Sequence, residues 1–236
     1  MIIRKAGLKW IFFDLGSTIT DESPFENYML NYVYKFLEDA GVNINAELFN
    51  ERLRKVIEER LFGNEGYRGI VRELVCHFTN KKQVFQEILC EYEKHVAPMY
   101  VEMQKVYPEA TTALEELKGK WELGLIANQP KTTKDYLRKT GLAKYFKVIV
   151  LSEEVGFSKP NSRIFLHALA TANCQPEKAL MVGDRLDNDV APAKSLGMKT
   201  VRIKRGLMTI QKTLSDVEIA DYEIYNLAEL PSLLFK

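Results

Sequence analysis

Four polar residues in this sequence follow separate apolar runs, and their chemistry fits phosphoryl transfer. Asp14 ends LKWIFFD, Asn128 ends WELGLIAN and Asp184 ends KALMVGD, while Lys159 lies in GFSKPNSRIF, after FKVIVLS. A carboxylate can attack phosphorus to form an acyl phosphate, and a second carboxylate can bind Mg²⁺. A lysine neutralises phosphate charge, and an amide can donate to the transferring oxygens. Asp14, Asp184, Lys159 and Asn128 are the candidates for these roles, in that order.

Each of these signals is weak alone, because a carboxylate after a strand is usually a helix cap or a turn residue. Four such residues, each after its own apolar run, favour a catalytic site over coincidence. Asp189 adds a further carboxylate five residues after Asp184, in GDRLDND.

The apolar runs have the length and composition of β-strands, and helical patterns lie between them. This alternation predicts an α/β fold with a doubly wound parallel sheet, covered by helices on both faces. In such sheets ligands bind at the carboxyl ends of the strands, where the four polar residues fall. The predicted strands are 8–14, 121–128, 146–152, 178–184 and 199–204.

A helical module interrupts the strand pattern after the first strand. The segment 20–100 has no strong strand signal, but it carries four amphipathic helical patterns, marked by Met29 to Ala40, Phe49 to Ile57, Val71 to Phe78 and Phe85 to Tyr92. The chain of 236 residues is also longer than one domain of ~150 residues. We therefore predict a core formed by 1–19 and 101–236 and an inserted helical domain of 20–100.

Composition excludes several classes of protein. With 46% hydrophobic and 28% charged residues the chain is neither disordered nor fibrous. A net charge of +1 provides no bulk attraction to nucleic acid or to an anionic membrane. No run approaches the ~20 apolar residues of a membrane span, and the amino terminus lacks the pattern of a signal peptide. The three cysteines form no CxxC pair and are expected in the apolar core, so a cytoplasmic protein is predicted.

The chain resembles the haloacid dehalogenase-like hydrolase superfamily over almost its whole length. The motifs that carry the resemblance are FFDLGST, YPEATTALEELK, LGLIANQP, SEEVGFSKPNSRIF and VGDRLDNDVAPAKSLGMKTVRI. It implies a Rossmann-like core, an inserted helical cap and Mg²⁺-dependent hydrolysis of a small phosphorylated substrate. Asp14 is similar to the nucleophile, Lys159 to the phosphate-neutralising lysine and Asp184 to a metal ligand. Asp189 is similar to the acid that orients the lysine or a metal-bound water, and the Gly16 carbonyl is expected to face the metal.

Two positions depart from the family pattern. Gly16 stands where phosphatases usually carry an aspartate that protonates the leaving group, a contribution worth ~10²–10⁴ in rate. Ala127 replaces the usual serine or threonine and removes a hydroxyl donor worth about 1.5–3 kcal/mol.

Three functions remain open at this point. The first is a phosphatase for good leaving groups, or one that takes an acid from elsewhere, with Asp21 and Glu22 nearest in sequence. The second is a C–P hydrolase similar to phosphonoacetaldehyde hydrolases, with Lys55 as the Schiff-base lysine. The third is a fold retained for binding a phosphometabolite or a partner without turnover. Dehalogenation is disfavoured, because family dehalogenases work without metal and this chain keeps the metal-type GDRLDND.

The insertion is expected to select the substrate. The stretch GNEGYRG, 63–69, offers Asn64, Tyr67 and Arg68, and Arg68 could pair with a second anionic group. A flexible turn between helices is an equally good interpretation of the same residues.

Overall fold

The chain folds into two compact units. The structure is a computed structural model and describes residues 7–235. Within that range the first unit comprises 7–21, 105–209 and 213–235, and the second comprises 22–104 with 210–212. The predicted insertion of 20–100 overlaps most of the second unit. Residues 1–6 and 236, which the predicted core segments include, lie outside the described residues.

The first unit is built on a six-stranded parallel sheet in the order β5-β4-β1-β6-β7-β8, which confirms the predicted α/β class. Phe13 on the central β1 is in register with Leu125 on one side and Val182 on the other. A separate antiparallel pair, β2 and β3, joins the two places where the chain leaves and re-enters this unit. The strands are β1 (Trp10–Phe13), β2 (Thr20–Asp21), β3 (Lys105–Val106), β4 (Glu122–Ala127), β5 (Val148–Leu151), β6 (Ala179–Gly183), β7 (Lys199–Ile203) and β8 (Tyr222–Ile224).

The second unit is helical, as its amphipathic patterns predict. Val33 and Leu37 on its first helix, and Val71 and Leu74 on its third, are fully or almost fully buried, because residues three to four apart share one helix face. Its helices are α1 (Ser23–Asp39), α2 (Ala46–Glu58), α3 (Tyr67–Phe78), α4 (Lys82–Glu91) and the short α5 (Tyr100–Met103).

Helices cover both faces of the sheet. Ile11 and Phe13 point into one apolar cluster with α6, whereas Phe12, between them, points into the opposite cluster with α9. This alternation is the period-2 pattern of a strand buried on both faces. The helices of this unit are α6 (Ala110–Leu117), α7 (Thr133–Lys139), α8 (Ser152–Val155), α9 (Ser162–Thr171), α10 (Ala191–Ser195) and α11 (Glu229–Phe235).

Some local predictions were wrong. Cys76 and Cys90 are exposed and Cys174 is only partly buried, so the cysteines are not core residues. Cys76 follows Val75 by one position, which turns it about 100° around α3 and away from the buried face. A wider π-type turn, Leu186–Val190, directly precedes α10. Among residues 7–235, no helix combines the length and apolarity needed to cross a membrane.

Candidate active site

Three of the predicted site residues follow neighbouring strands at one edge of the sheet. Asp14 follows β1, Asn128 follows β4 and Asp184 follows β6, and β1 lies between the other two strands. The Asp14 N–H donates to the carbonyl of Val182 at 2.9 Å, which continues the β1–β6 ladder to the strand end. The parallel arrangement therefore places these side chains at the carboxyl edge, where ligands bind in sheets of this kind.

Lys159 reaches this edge from the loop between α8 and α9 and is held by two carboxylates. Its Nζ lies 2.7 Å from Asp14 Oδ1 and 2.6 Å from Asp189 Oδ1. The lysine side chain is 2% exposed and that of Asp189 is fully buried. Burial on its own would lower the pKa of Lys159, but the two carboxylates outweigh it and raise the pKa above the ordinary value. The ammonium is therefore charged at neutral pH.

The pKa of Asp189 is perturbed as well. Burial, together with repulsion from Asp14, raises the pKa of Asp189 to about 6, although Lys159 and the backbone N–H of Arg185 act against the shift. Arg185 N–H donates to Asp189 Oδ2 at 3.1 Å, so both carboxylate oxygens are engaged. Gly183 leaves the space for this side chain, since a Cβ there would lie 2.4 Å from the Asp189 carboxylate.

Asp184 completes a cluster of three carboxylates. One oxygen from each of Asp14, Asp184 and Asp189 lies within 4.8 Å of the others. Asn188 Oδ1, in the turn between Asp184 and α10, is buried without a hydrogen-bond partner. Such an oxygen-only set of donors fits a hard divalent cation such as Mg²⁺. Arg202, which the sequence analysis did not single out, donates from Nε to the backbone carbonyl of Asp184 at 3.2 Å.

Asn128 contacts the backbone of the lysine. Its Oδ1 accepts from the Lys159 N–H at 2.7 Å, and its Nδ2 donates to the Lys159 carbonyl at 2.8 Å. Ala127, directly before Asn128, is fully buried, and its side chain has no polar atom.

The turn after Asp14 contains Gly16, the position at which related phosphatases usually carry an acidic residue. Gly16 forms an isolated bridge with Thr20 and has no side chain to donate a proton. The left-handed residue of this turn is Ser17, with φ of 50°, and not Gly16. Thr18 Oγ1 is buried without a hydrogen-bond partner.

The candidate site residues in the helical unit either form hydrogen bonds or ion pairs within that unit or are exposed. Glu22 is 7% exposed and accepts from Tyr67 Oη at 2.9 Å, and the same hydroxyl lies 2.9 Å from Glu26. Arg68 pairs with Glu65 and Glu93, at 2.6 and 2.8 Å. Asn64 and Lys55 are exposed, and Asp21, in the other unit, is the partly buried end of β2.

Comparison with known proteins assigns the family. Residues 8–197 match the model of the haloacid dehalogenase-like hydrolases. A glyceraldehyde 3-phosphate phosphatase of Methanocaldococcus jannaschii is 32% identical over 232 residues, covering 96% of this chain and 97% of that protein. A phosphoserine phosphatase of Thermus thermophilus is 36% identical, covering 94% of this chain and 99% of that protein. The crystal structure of a phosphatase of the same family from Thermococcus onnurineus has a TM-score of 0.63 at 29% identity, with 96% and 98% of the two chains covered. The chain therefore belongs to the haloacid dehalogenase-like hydrolases and is a hydrolase of the phosphatase type.

Proposed function

We propose that this protein is a Mg²⁺-dependent phosphatase that hydrolyses a small phosphorylated metabolite through an aspartyl-phosphate on Asp14. The observation that carries the proposal is the buried ion pair of Lys159 with Asp14 and Asp189, next to Asp184. Relatives over nearly the whole chain are phosphatases for glyceraldehyde 3-phosphate and phosphoserine, which supports a small phosphate monoester as the substrate.

The reaction needs two displacements at phosphorus. In the first, an oxygen of Asp14 bonds to phosphorus as the ester P–O bond breaks, and the leaving-group oxygen takes up a proton from water. In the second, water attacks phosphorus, the bond to Asp14 breaks, and inorganic phosphate leaves. Lys159 touches Asp14 Oδ1 and supplies positive charge beside the position where the phosphoryl group would sit.

A divalent cation fits the carboxylate cluster. Asp14 and Asp184 would hold it together with the backbone carbonyl of Gly16, and Asp189 would keep Lys159 in place. When bound, the ion would neutralise phosphate charge, so that an anionic nucleophile could approach an anionic phosphate. The chain's own contribution is to hold these oxygens close together in a largely buried edge of the sheet.

Gly16 and Ala127 favour slow turnover. No side chain at position 16 can protonate the leaving group, a function worth ~10²–10⁴ in rate. Glu22, the nearest carboxyl in sequence in the second unit, is occupied by Tyr67. Substrates with acidic leaving groups, such as acyl and aryl phosphates, are therefore expected to react faster than alkyl phosphates. The second candidate is a protein that binds a phosphometabolite without turnover, and the same two positions favour it.

A phosphatase screen with and without Mg²⁺ separates these functions. The panel contains aryl, acyl and alkyl phosphates, including glyceraldehyde 3-phosphate and phosphoserine. Asp14→Asn is the inactive blank, and Asp135→Asn, an exposed carboxylate on α7, is the matched control. We expect Mg²⁺-dependent release of phosphate by the wild type and the control only. Activity that survives full chelation would refute the metal dependence. Binding of phosphometabolites without turnover, in wild type and in Gly16→Asp, would establish the binding protein instead.

A further inference from the structure

The side chain of Asn128 forms a two-point contact with one residue, Lys159. Oδ1 accepts from the Lys159 N–H at 2.7 Å and Nδ2 donates to the Lys159 carbonyl at 2.8 Å. The orientation of the amide is fixed by this pair, because a flipped amide would set donor against donor and acceptor against acceptor. The contact joins the end of β4 to the loop between α8 and α9.

That loop has little else to fix the lysine backbone. Among the described residues, the other backbone hydrogen bond made by 157–160 stays inside the loop, from Asn161 N–H to the Ser158 carbonyl. Ser158 is exposed and Pro160 only partly buried, whereas Lys159 is 2% exposed. The two bonds from Asn128 therefore tie the lysine backbone to the sheet.

The far end of the same side chain meets the nucleophile. Lys159 Nζ lies 2.7 Å from Asp14 Oδ1 and 2.6 Å from Asp189 Oδ1. A shift of the lysine backbone moves the ammonium with it, and a misplacement of about 1 Å in an active site can cost about a hundredfold in rate.

We infer that Asn128 is a positioning residue, which sets the place of Lys159 against Asp14, and that its amide is not a phosphate ligand. The inference deepens the proposed function and rests on it for the kinetic readout. Positions 127, 128 and 159 are the ones at which a phosphate-binding side chain is expected. Ala127 is apolar and the Asn128 amide is engaged with the lysine backbone, so Lys159 is the side-chain donor that remains for phosphate.

The kinetic test separates positioning from phosphate binding. In Asn128→Ala both bonds are lost, and we expect kcat to fall about ten- to a hundredfold, since each net hydrogen bond is worth a factor of about 2–12. The inhibition constant of inorganic phosphate rises by no more than kcat falls, because the only phosphate contact that weakens is the one made by the displaced Lys159. A rise of the phosphate inhibition constant by about tenfold or more with little change in kcat would show a phosphate ligand and overturn the inference.

Asn161→Ala is the matched control in the same loop. Asn161 Oδ1 accepts from the Arg163 N–H and caps α9, and among the described residues its side chain makes no hydrogen bond with Lys159. Its loss costs a helix cap but leaves the Asn128–Lys159 pair intact. We expect this control to lower thermal stability and leave kcat within about twofold, because the lysine keeps its place. An equal fall of kcat in the control would show a general effect of loop loosening and would also overturn the inference.

Chemical labelling tests the position of Lys159 without turnover. The lysine amine is acetylated with a small reagent, and the peptide containing Lys159 is quantified by mass spectrometry. We expect protection in the wild type and in Asn161→Ala, and faster labelling in Asn128→Ala. Asn128→Asp, which keeps the acceptor oxygen, loses the donor and adds a negative charge, takes its place if the alanine variant does not fold. Equal protection in all variants would refute positioning. Wild type that shows protection but no phosphatase activity would refute the proposed function alone.

Discussion

Replacing Gly183 with alanine tests whether the packing around Asp189 controls the position of Lys159. The new Cβ would lie 2.4 Å from Cγ and Oδ2 of Asp189 and 2.6 Å from its Cβ. Ordinary carbon contacts begin near 3.5 Å, so the Asp189 side chain must move by about 1 Å. It has little freedom, because it is fully buried and bonded to Lys159 and to the Arg185 N–H.

Two effects of this substitution can be measured. Overpacking costs about 1–3 kcal/mol, which at roughly 2–4 °C per kcal/mol lowers Tm by about 2–12 °C. Displacement of Asp189 also moves Lys159 relative to Asp14, and a shift of about 1 Å corresponds to a fall in kcat of roughly a hundredfold. Thermal unfolding and steady-state kinetics at 25 °C, well below Tm, separate the two.

Gly124→Ala is the control for steric strain without displacement of a site residue. Its Cβ would lie 2.5 Å from the ring of Phe12, in the apolar core. We expect a comparable loss of Tm with kcat within about twofold of the wild type, because the strain is taken up by a ring. Wild-type kcat in Gly183→Ala, or an equal fall in both variants, would refute the coupling of Asp189 to the lysine.

Three further predictions follow from single contacts. Gly16→Asp should raise kcat on alkyl phosphates by about 10²–10⁴, because it restores a proton donor, and aryl phosphates should gain less; equal gains on both would show that leaving-group protonation is not the limit. Arg202→Met removes the donor to the carbonyls of Asp184, Met208 and Thr209. We expect the free energy of unfolding in urea to fall by about 2–4 kcal/mol and Mg²⁺ binding, measured by calorimetry, to weaken. Unchanged Mg²⁺ binding would show that Arg202 stabilises the fold alone. Burial and repulsion by Glu22, Glu26 and Tyr100 raise the pKa of Tyr67 well above its usual value. The stability that the neutral Tyr67 hydroxyl contributes is therefore complete below the unfolded pKa of about 10 and is lost as pH rises above it. Between pH 9 and 11 the Tm of the wild type should fall more than that of Tyr67→Phe, and equal falls would contradict this origin.

The sequence alone predicts that Asp14, Asp184 and Lys159 lie close together. Carboxyl ends of parallel strands meet at one edge, so a polar residue after each apolar run is placed by the fold class alone. The family resemblance then indicated a role for each residue. The helical insertion was equally visible, because four amphipathic patterns replaced the strand pattern for about eighty residues.

Contacts that depend on loop conformation could not be predicted in the same way. The type of Asn128 and its position after a strand predict a phosphate donor. The contact of its amide with the Lys159 backbone depends on the path of the 156–161 loop, which no sequence pattern predicts. The pattern of KTVRIK predicts a strand but no contact for Arg202. A cation within an apolar strand is nevertheless a signal that its side chain has a buried hydrogen-bond partner. The apolar helical stretch around each cysteine predicts a core position. Neighbouring positions on a helix differ in burial, however, and the pattern does not fix the exact face.

Detection of a phosphoryl group on Asp14 tests the central claim most directly. The protein is mixed with Mg²⁺ and a fast aryl phosphate substrate, quenched in acid within the first turnover, digested and examined by mass spectrometry. The account predicts the mass of one phosphoryl group on the peptide that contains Asp14, lost when the quench is delayed beyond substrate exhaustion and missing in Asp14→Asn. Turnover of substrate with the phosphoryl group on another residue, or by Asp14→Asn at the wild-type rate, would contradict it.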